Sequence, residues 1–228
     1  MTKTKQRSSS LIQAKYSRLY TPTITNVINL TDLSMSLNCF HFTVIQKSSA
    51  LNIMKVITIG EQVWAKKDLK VFRFRNGDLI PIVQSPEAWM ELETSAMCIN
   101  PDTGKVYYNW WAVNDPRGLA PEGWRIPTIY DWEHLIESLG GRDIAGAKMK
   151  TKHGRGNNQS GFSGKLNGWR NDYNGNFTDD CFLSCYWSST EYSGAQTWHF
   201  GLGLLDDEVR QVRLTVGCGL SVRCLLDT

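Results

Sequence analysis

Residues 109–128, NWWAVNDPRGLAPEGWRIPT, constrain the fold of this chain more than any other stretch. Pro116, Gly118, Pro121, Gly123 and Pro127 interrupt any helix or central strand. Trp110, Trp111 and Trp124 each carry enough apolar area to pin a non-repetitive backbone in place. A long loop of this kind is either ordered by its own side chains or disordered, and three tryptophans favour order. The expectation is an irregular fold stapled by aromatic side chains.

At 228 residues the chain suits one large or two small domains, and its composition is that of a globular protein. No stretch approaches the roughly 18 to 20 consecutive apolar residues of a membrane-spanning helix. The formal charge of +3 is unevenly spread. Residues 1–53 hold six Lys or Arg against the single Asp32, leaving 19 basic and 21 acidic residues from Met54 onward. By overall charge that body is not a nucleic-acid-binding surface.

The first 53 residues are rich in Ser, Thr, Asn and Lys, lack Gly and Trp, and show no sustained period of 2 or 3.6. A secretory leader needs a continuous apolar core after its basic start, and only Leu11 and Ile12 are offered before charges return. Patterned sequence begins abruptly at Met54. Two readings stand: an extension ahead of a natural start at Met54, or a flexible N-terminal arm.

From Met54 the pattern is strand and loop with two helices, an α+β class. Residues 56–59 and 62–65 read as short strands around Gly60, and residues 71–74 alternate before the turn Asn76-Gly77-Asp78. Ser85-Pro86-Glu87 forms a helix start leading into residues 88–92. The clearer helix is capped by Thr128 with Asp131 three residues on. It carries Trp132, Leu135, Ile136 and Leu139 at i, i+3, i+4 and i+7, and Gly140-Gly141 ends it. The glycine- and asparagine-rich region 154–177 contains Phe162, Leu166, Trp169, Tyr173 and Phe177, and is expected to be a long ordered loop packed by aromatics.

The C-terminal region is strand again. Trp198, Phe200 and Leu202 alternate with Thr197, His199, Gly201 and Gly203, and residues 209–216 and 220–225 follow as further strands. The expected division puts Trp198, Phe200 and Leu202 toward the core and the alternate residues outward. Beside them, Gln211, Arg213, Thr215 and Gly217 share one parity, opposite Val212, Leu214 and Val216. Such alternation fits any solvated sheet face as well as a binding face.

IGEQVWAKKDL near Gly60, FRNGDLIPIV near Gly77, the 109–128 stretch, YWSSTEY at Tyr186 and GLSVRC at Gly219 together resemble the Fibrobacter succinogenes major paralogous domain. The resemblance runs in order from about Ile57 to Leu225. It implies a C-type-lectin-like fold, related to that of formylglycine-generating enzymes, with two helices, small sheets, long ordered loops and a sheet joining the two ends of the domain. The same fold serves the variable proteins of diversity-generating retroelements, several of which contain this domain. On that resemblance residues 187–223 are the diversified segment. The ligand-binding positions are Ser193, Ala195, Thr197, His199, Gly201, Gly203, Glu208, Gln211, Arg213, Thr215, Gly217 and Cys218. The expected function is binding of a macromolecule, a protein above all, without catalysis, cofactor, metal or nucleic acid. The resemblance points to a cell surface or phage particle, although no leader is visible.

Two other readings remain open: a copper-dependent oxidase of the formylglycine-generating type, and an invariant envelope or phage structural protein. The enzyme reading rests on Cys181 and Cys185, four apart, but TDDCFLSCYW does not resemble that family's cysteine motif. Cys98 and Cys224 fall where the paralogous family often carries cysteine, which implies burial or a disulfide, and Cys218 falls in the implied variable segment. His41, His134, His153 and His199 are too dispersed for a recognisable zinc site. Trp169-Arg170-Asn171-Asp172 resembles the Trp-Asn-Asp calcium motif of animal lectins, interrupted by Arg170, and Asp179-Asp180 and Asp206-Asp207-Glu208 read as solvated turns. No phosphate loop or nucleophile elbow is present.

Overall fold

Strand β1 (Val56–Ile59) turns at Gly60 and pairs antiparallel with β2 (Gln62–Ala65), from Val56 opposite Ala65 to Ile59 opposite Gln62. This is the start of a computed structural model that describes residues 54–152, 155–166, 168–178 and 183–227. The extension 1–53, with Cys39 and His41, and also His153, Asp179, Asp180 and Cys181, lie outside the described residues. The expected strand at 71–74 reduces to one bridge, Arg73 to Leu79, closed by the turn in which Gly77 takes φ 96°. Two three-residue strands follow, β3 (Met97–Ile99) and β4 (Val106–Tyr108), paired antiparallel.

The stretch 109–128 does contain regular structure, though only in fragments. Asn109 caps a single helical turn, α2 (Trp110–Val113), which ends before Pro116, and Trp124 and Arg125 form the short strand β5. Trp110 and Trp124 are buried, at 7% and 1% exposure. The preceding helix, α1 (Pro86–Met90), starts as expected, with the Ala88 N–H donating to the Ser85 hydroxyl.

Helix α3 (Ile129–Ser138) bears the full capping box: the Asp131 N–H donates to the Thr128 hydroxyl while the Thr128 N–H donates to the Asp131 carboxylate at 2.7 Å. Trp132, Leu135, Ile136 and Leu139 are all buried, as their spacing predicts. Gly140 and Gly141 end this helix but do not end helical structure. The chain turns through their positive φ angles of 97° and 100° and restarts as α4 (Arg142–Met149), which the sequence reading missed. Among the described residues there are therefore four helices, two of them little more than one turn.

Strands β6 (Leu183–Ser193), β7 (Gln196–Gly203) and β8 (Val209–Thr215) make a continuous antiparallel sheet with β7 in the middle. The expected strand 220–225 is mostly an irregular extended segment. Leu220 bridges Tyr108 and Ser221 bridges Tyr186, and only β9 (Leu225–Leu226) is regular. It lies between β2 and β5, giving the sheet order β1-β2-β9-β5. The two ends of the described domain thus meet in one sheet, and the class is α+β.

Trp132 sits at the centre of the main core. Its ring lies 5.0 Å from Trp64, 5.1 Å from Phe200, 5.7 Å from Tyr186 and 6.0 Å from Phe162. Phe162 comes from the glycine-rich region, which is therefore packed by aromatics as expected, although Tyr173 is 85% exposed. A smaller cluster of Trp89, Ala96, Cys98 and Tyr107 lies apart, with Phe177 against it. Arg170, fully buried, sits over both Trp89 and Phe177 and donates to the carbonyls of Gly175, Val83, Gln84 and Ser85. The residue that interrupts the lectin-like calcium motif ties the loop to the start of α1.

Candidate recognition face

Residues directly opposite one another in a sheet share a face, so register decides which C-terminal side chains stand together. Trp198 is opposite Arg213, Phe200 opposite Gln211 and Leu202 opposite Val209, whereas Thr197 is opposite Leu214 and His199 opposite Val212. This overturns the expected partition. Gln211, Arg213 and Thr215 lie on the face of Trp198, Phe200 and Leu202, not on that of Thr197, His199 and Gly201. Alternation within a strand fixes relative parity only, and the offset between two strands is set by their turn and by neighbouring packing.

Burial corrects the expectation a second time. Thr197, His199, Gly201 and Gly203 are buried, so they form no solvent-facing row. The Thr197 hydroxyl donates to the Thr190 carbonyl, and His199 stands opposite Trp187, whose indole N–H donates to the Tyr108 carbonyl at 2.7 Å. This second face of β6 and β7 is covered where the first was expected to be the only covered one. Burial lowers the His199 pKa from its ordinary value to about 4, a hydrogen bond with the Val212 backbone opposing it only in part, and its Nδ1 has no partner. Val212, expected inside, is 45% exposed, because β8 is the edge strand.

What is exposed is the far end of the sheet. There the face that carries Phe200 and Leu202 into the core runs past the helices and opens to solvent. Tyr192 meets half-buried Trp198 edge-on with ring centroids 5.2 Å apart, and the Arg213 guanidinium lies 4.4 Å from the Tyr192 ring and 5.5 Å from that of Trp198. A guanidinium over two rings is held in place without being desolvated, each such contact being worth about 0.5–1 kcal/mol at an exposed site. Ser193 and Ala195 are exposed at the adjoining hairpin tip, and the Val216 N–H donates to the Ala195 carbonyl. Thr215, also exposed, donates to Asp172, which accepts from the Cys218 thiol as well. Tyr192 and Trp198 were not among the expected binding positions; the broken register of β6 between Trp187 and Ser193, which brings them together, leaves no trace in the sequence.

The remaining expected positions divide. Gln211 is half-buried and accepts from Arg142 of α4 at 2.6 Å, Glu208 is paired with Arg210, and Gly217 is half-buried against Asp172. Cys218 is buried. Burial pushes the thiols of Cys98, Cys218 and Cys224 up to about 12, and none of the three is joined in a disulfide in the structure, where Cys98 and Cys224 are buried side chains of the interior. Cys185, in β6 opposite Gly201, is 1% exposed. Among the described residues no group of three His, Cys, Asp or Glu is placed to hold a metal ion, and no helix is long and apolar enough to cross a membrane.

A domain of small sheets and short helices, whose longest sheet projects an aromatic and basic end, matches one family by sequence over residues 57–225. The chain belongs to the Fibrobacter succinogenes major domain family. No curated protein and no solved structure matches it.

Proposed function

We propose that this chain is a non-catalytic binding protein with a C-type-lectin-like scaffold, the variable protein of a diversity-generating retroelement, and that its ligand is a protein. The observation that carries the reading is the Tyr192, Trp198 and Arg213 cluster at the open end of the C-terminal sheet. Tyr, Trp and Arg are the side chains that most often dominate binding energy at protein interfaces, since they join large contact area to a polar handle. The cluster is an extension of strands whose other ends are locked in the Trp132 core, so the face is presented at a small ordering cost. Ser193, Ala195 and Thr215 surround it and are exposed, so their side chains can change without disturbing the interior.

The test is genomic. An imperfect repeat of the codons for residues 187–223 is expected nearby, beside a reverse-transcriptase gene, with differences confined to adenines of the repeat. Those differences should fall at exposed positions such as Tyr192, Ser193, Ala195, Arg213 and Thr215, and spare Phe200, Leu202 and Val209. Absence of the repeat would remove diversification and leave an invariant binding or structural domain, and differences concentrated at the buried positions would take the recognition role away from this face.

A further inference from the structure

A second feature lies away from the recognition face, around the end of β2. A cavity of about 560 Å³ is lined by Lys55, Lys66, Lys67, Lys70, Lys105 and Lys165. These are six of the nine lysines that follow Met54, in a stretch whose acidic residues outnumber its basic ones. They arrive from distant places: the residue before β1, the segment after β2, the turn between β3 and β4, and the loop after Phe162. The sequence totals concealed this gathering because it exists only once those segments fold together.

Among the described residues the lining holds one carboxylate, Asp68, and it is already engaged. Asp68 accepts from the Arg223 guanidinium at 2.9 and 2.5 Å and pairs with Lys105 at 2.5 Å. Arg223 is buried, with its remaining donors on the Ala65 and Phe162 carbonyls and its plane 4.1 Å from the Phe162 ring. The floor is therefore a fixed carboxylate held between two cations, with one positive charge left over, and Lys55, Lys66, Lys67, Lys70 and Lys165 stand exposed around it. Like charges around a concavity repel one another and concentrate anions in it.

The geometry points to this cavity as a binding site for a compact polyanion, a small molecule bearing several phosphate or sulfate groups. Three considerations select that class. Ammonium groups are point charges with freely rotating donors, suited to tetrahedral oxyanions, whereas planar carboxylates are matched by the arginine fork, and the one arginine here is consumed by Asp68. The volume is that of a small-molecule site. The lysines converge on one hollow and do not extend as a stripe, so a long nucleic acid has no track to follow.

Isothermal titration of the full chain with sodium tripolyphosphate, and in parallel with a multiply sulfated disaccharide, tests the assignment. One saturable site is expected for at least one probe, weakening as sodium chloride rises from about 50 to about 200 mM. The variant Lys66→Gln/Lys67→Gln should weaken it about tenfold or more, Lys66→Arg/Lys67→Arg should preserve it, and Lys152→Gln, outside the lining, should leave it unchanged. The probe that binds more tightly identifies phosphate or sulfate as the source. Absence of saturable binding by either probe, equal weakening by Lys152→Gln, or binding of duplex DNA in preference to both overturns the proposal. None of these outcomes bears on the face at Tyr192.

Discussion

His199 makes the stability of the domain depend on pH between about 4 and 6.5. The side chain is 4% exposed, stands opposite Trp187 and Val212, and has a pKa lowered to about 4 by burial. In the unfolded chain the imidazole titrates near its ordinary value of 6.5. A depressed folded pKa means that the unfolded state binds the proton first. The native state is therefore fully favoured above pH ~6.5, loses ground as pH falls through that value, and stops losing below ~4. The separation of ~2.5 pH units corresponds to a full loss of about 3.4 kcal/mol, of which about 2 is lost between pH 7 and pH 5. Asp68, held down to about 2 where burial is outweighed by Arg223 and Lys105, enters only as pH falls below the ordinary carboxylate value of 3.8. Urea denaturation at pH 7, 6 and 5 measures the slope, and His199→Gln, which cannot titrate, should flatten it whatever it does to absolute stability. An unchanged slope in His199→Gln, or a flat profile in the parent chain, would refute the reasoning.

Trp132→Ala should destabilise by about 3–5 kcal/mol, because the ring is surrounded by four other aromatics, whereas half-buried Trp198→Ala should cost about 1–2. Denaturant midpoints of the two variants check the ranking, and equal losses would place Trp198 in the core after all. Gly146→Ala reverses the usual helix rule. Alanine is ordinarily better in a helix interior by about 1 kcal/mol, but here its Cβ would stand 2.2 Å from the Glu208 carbonyl oxygen and 2.7 Å from that of Asp207. Moving α4 away breaks the bond from the Ala147 N–H to the Asp207 carbonyl, so a loss of about 1–3 kcal/mol is expected, and a higher melting temperature would contradict it.

The parts of this fold that local chemistry decides were legible from the sequence. Ser85 and Pro86 start a helix, Thr128 and Asp131 cap another, and the spacing of Trp132, Leu135, Ile136 and Leu139 marks its buried stripe, because each signal acts within one or two turns of chain. The failures were of two kinds. Gly140-Gly141 read as an end when it is a corner, and β3 and β4 are three residues long, too short to show a period. The second kind was register. Whether Arg213 stands beside Trp198 or beside His199 depends on a one-residue offset, and that offset is set by contacts distant in sequence. For the same reason the lysine-lined cavity was invisible, its lysines running from Lys55 to Lys165 along the chain and brought together by the β1-β2 and β3-β4 hairpins.

The position of β9 bears on how the domain is made. Leu225 pairs with Trp64 on one side and Arg125 on the other, and the residues just before it accept or donate backbone hydrogen bonds with Leu69, Tyr108, Arg170 and Trp187. A ribosome delivers this segment after every partner that needs it. Until it emerges, β2 and β5 have no strand between them and several buried amides in other elements lack their acceptors, so the nascent domain has to wait open and exposed. A chain that stops short of Leu225 would leave β2 and β5 unpaired on the edges that β9 joins. If the coding segment for residues 187–223 is rewritten as proposed, the rewriting has to stop short of Leu225, because the strand that follows closes the sheet joining the two ends of the domain.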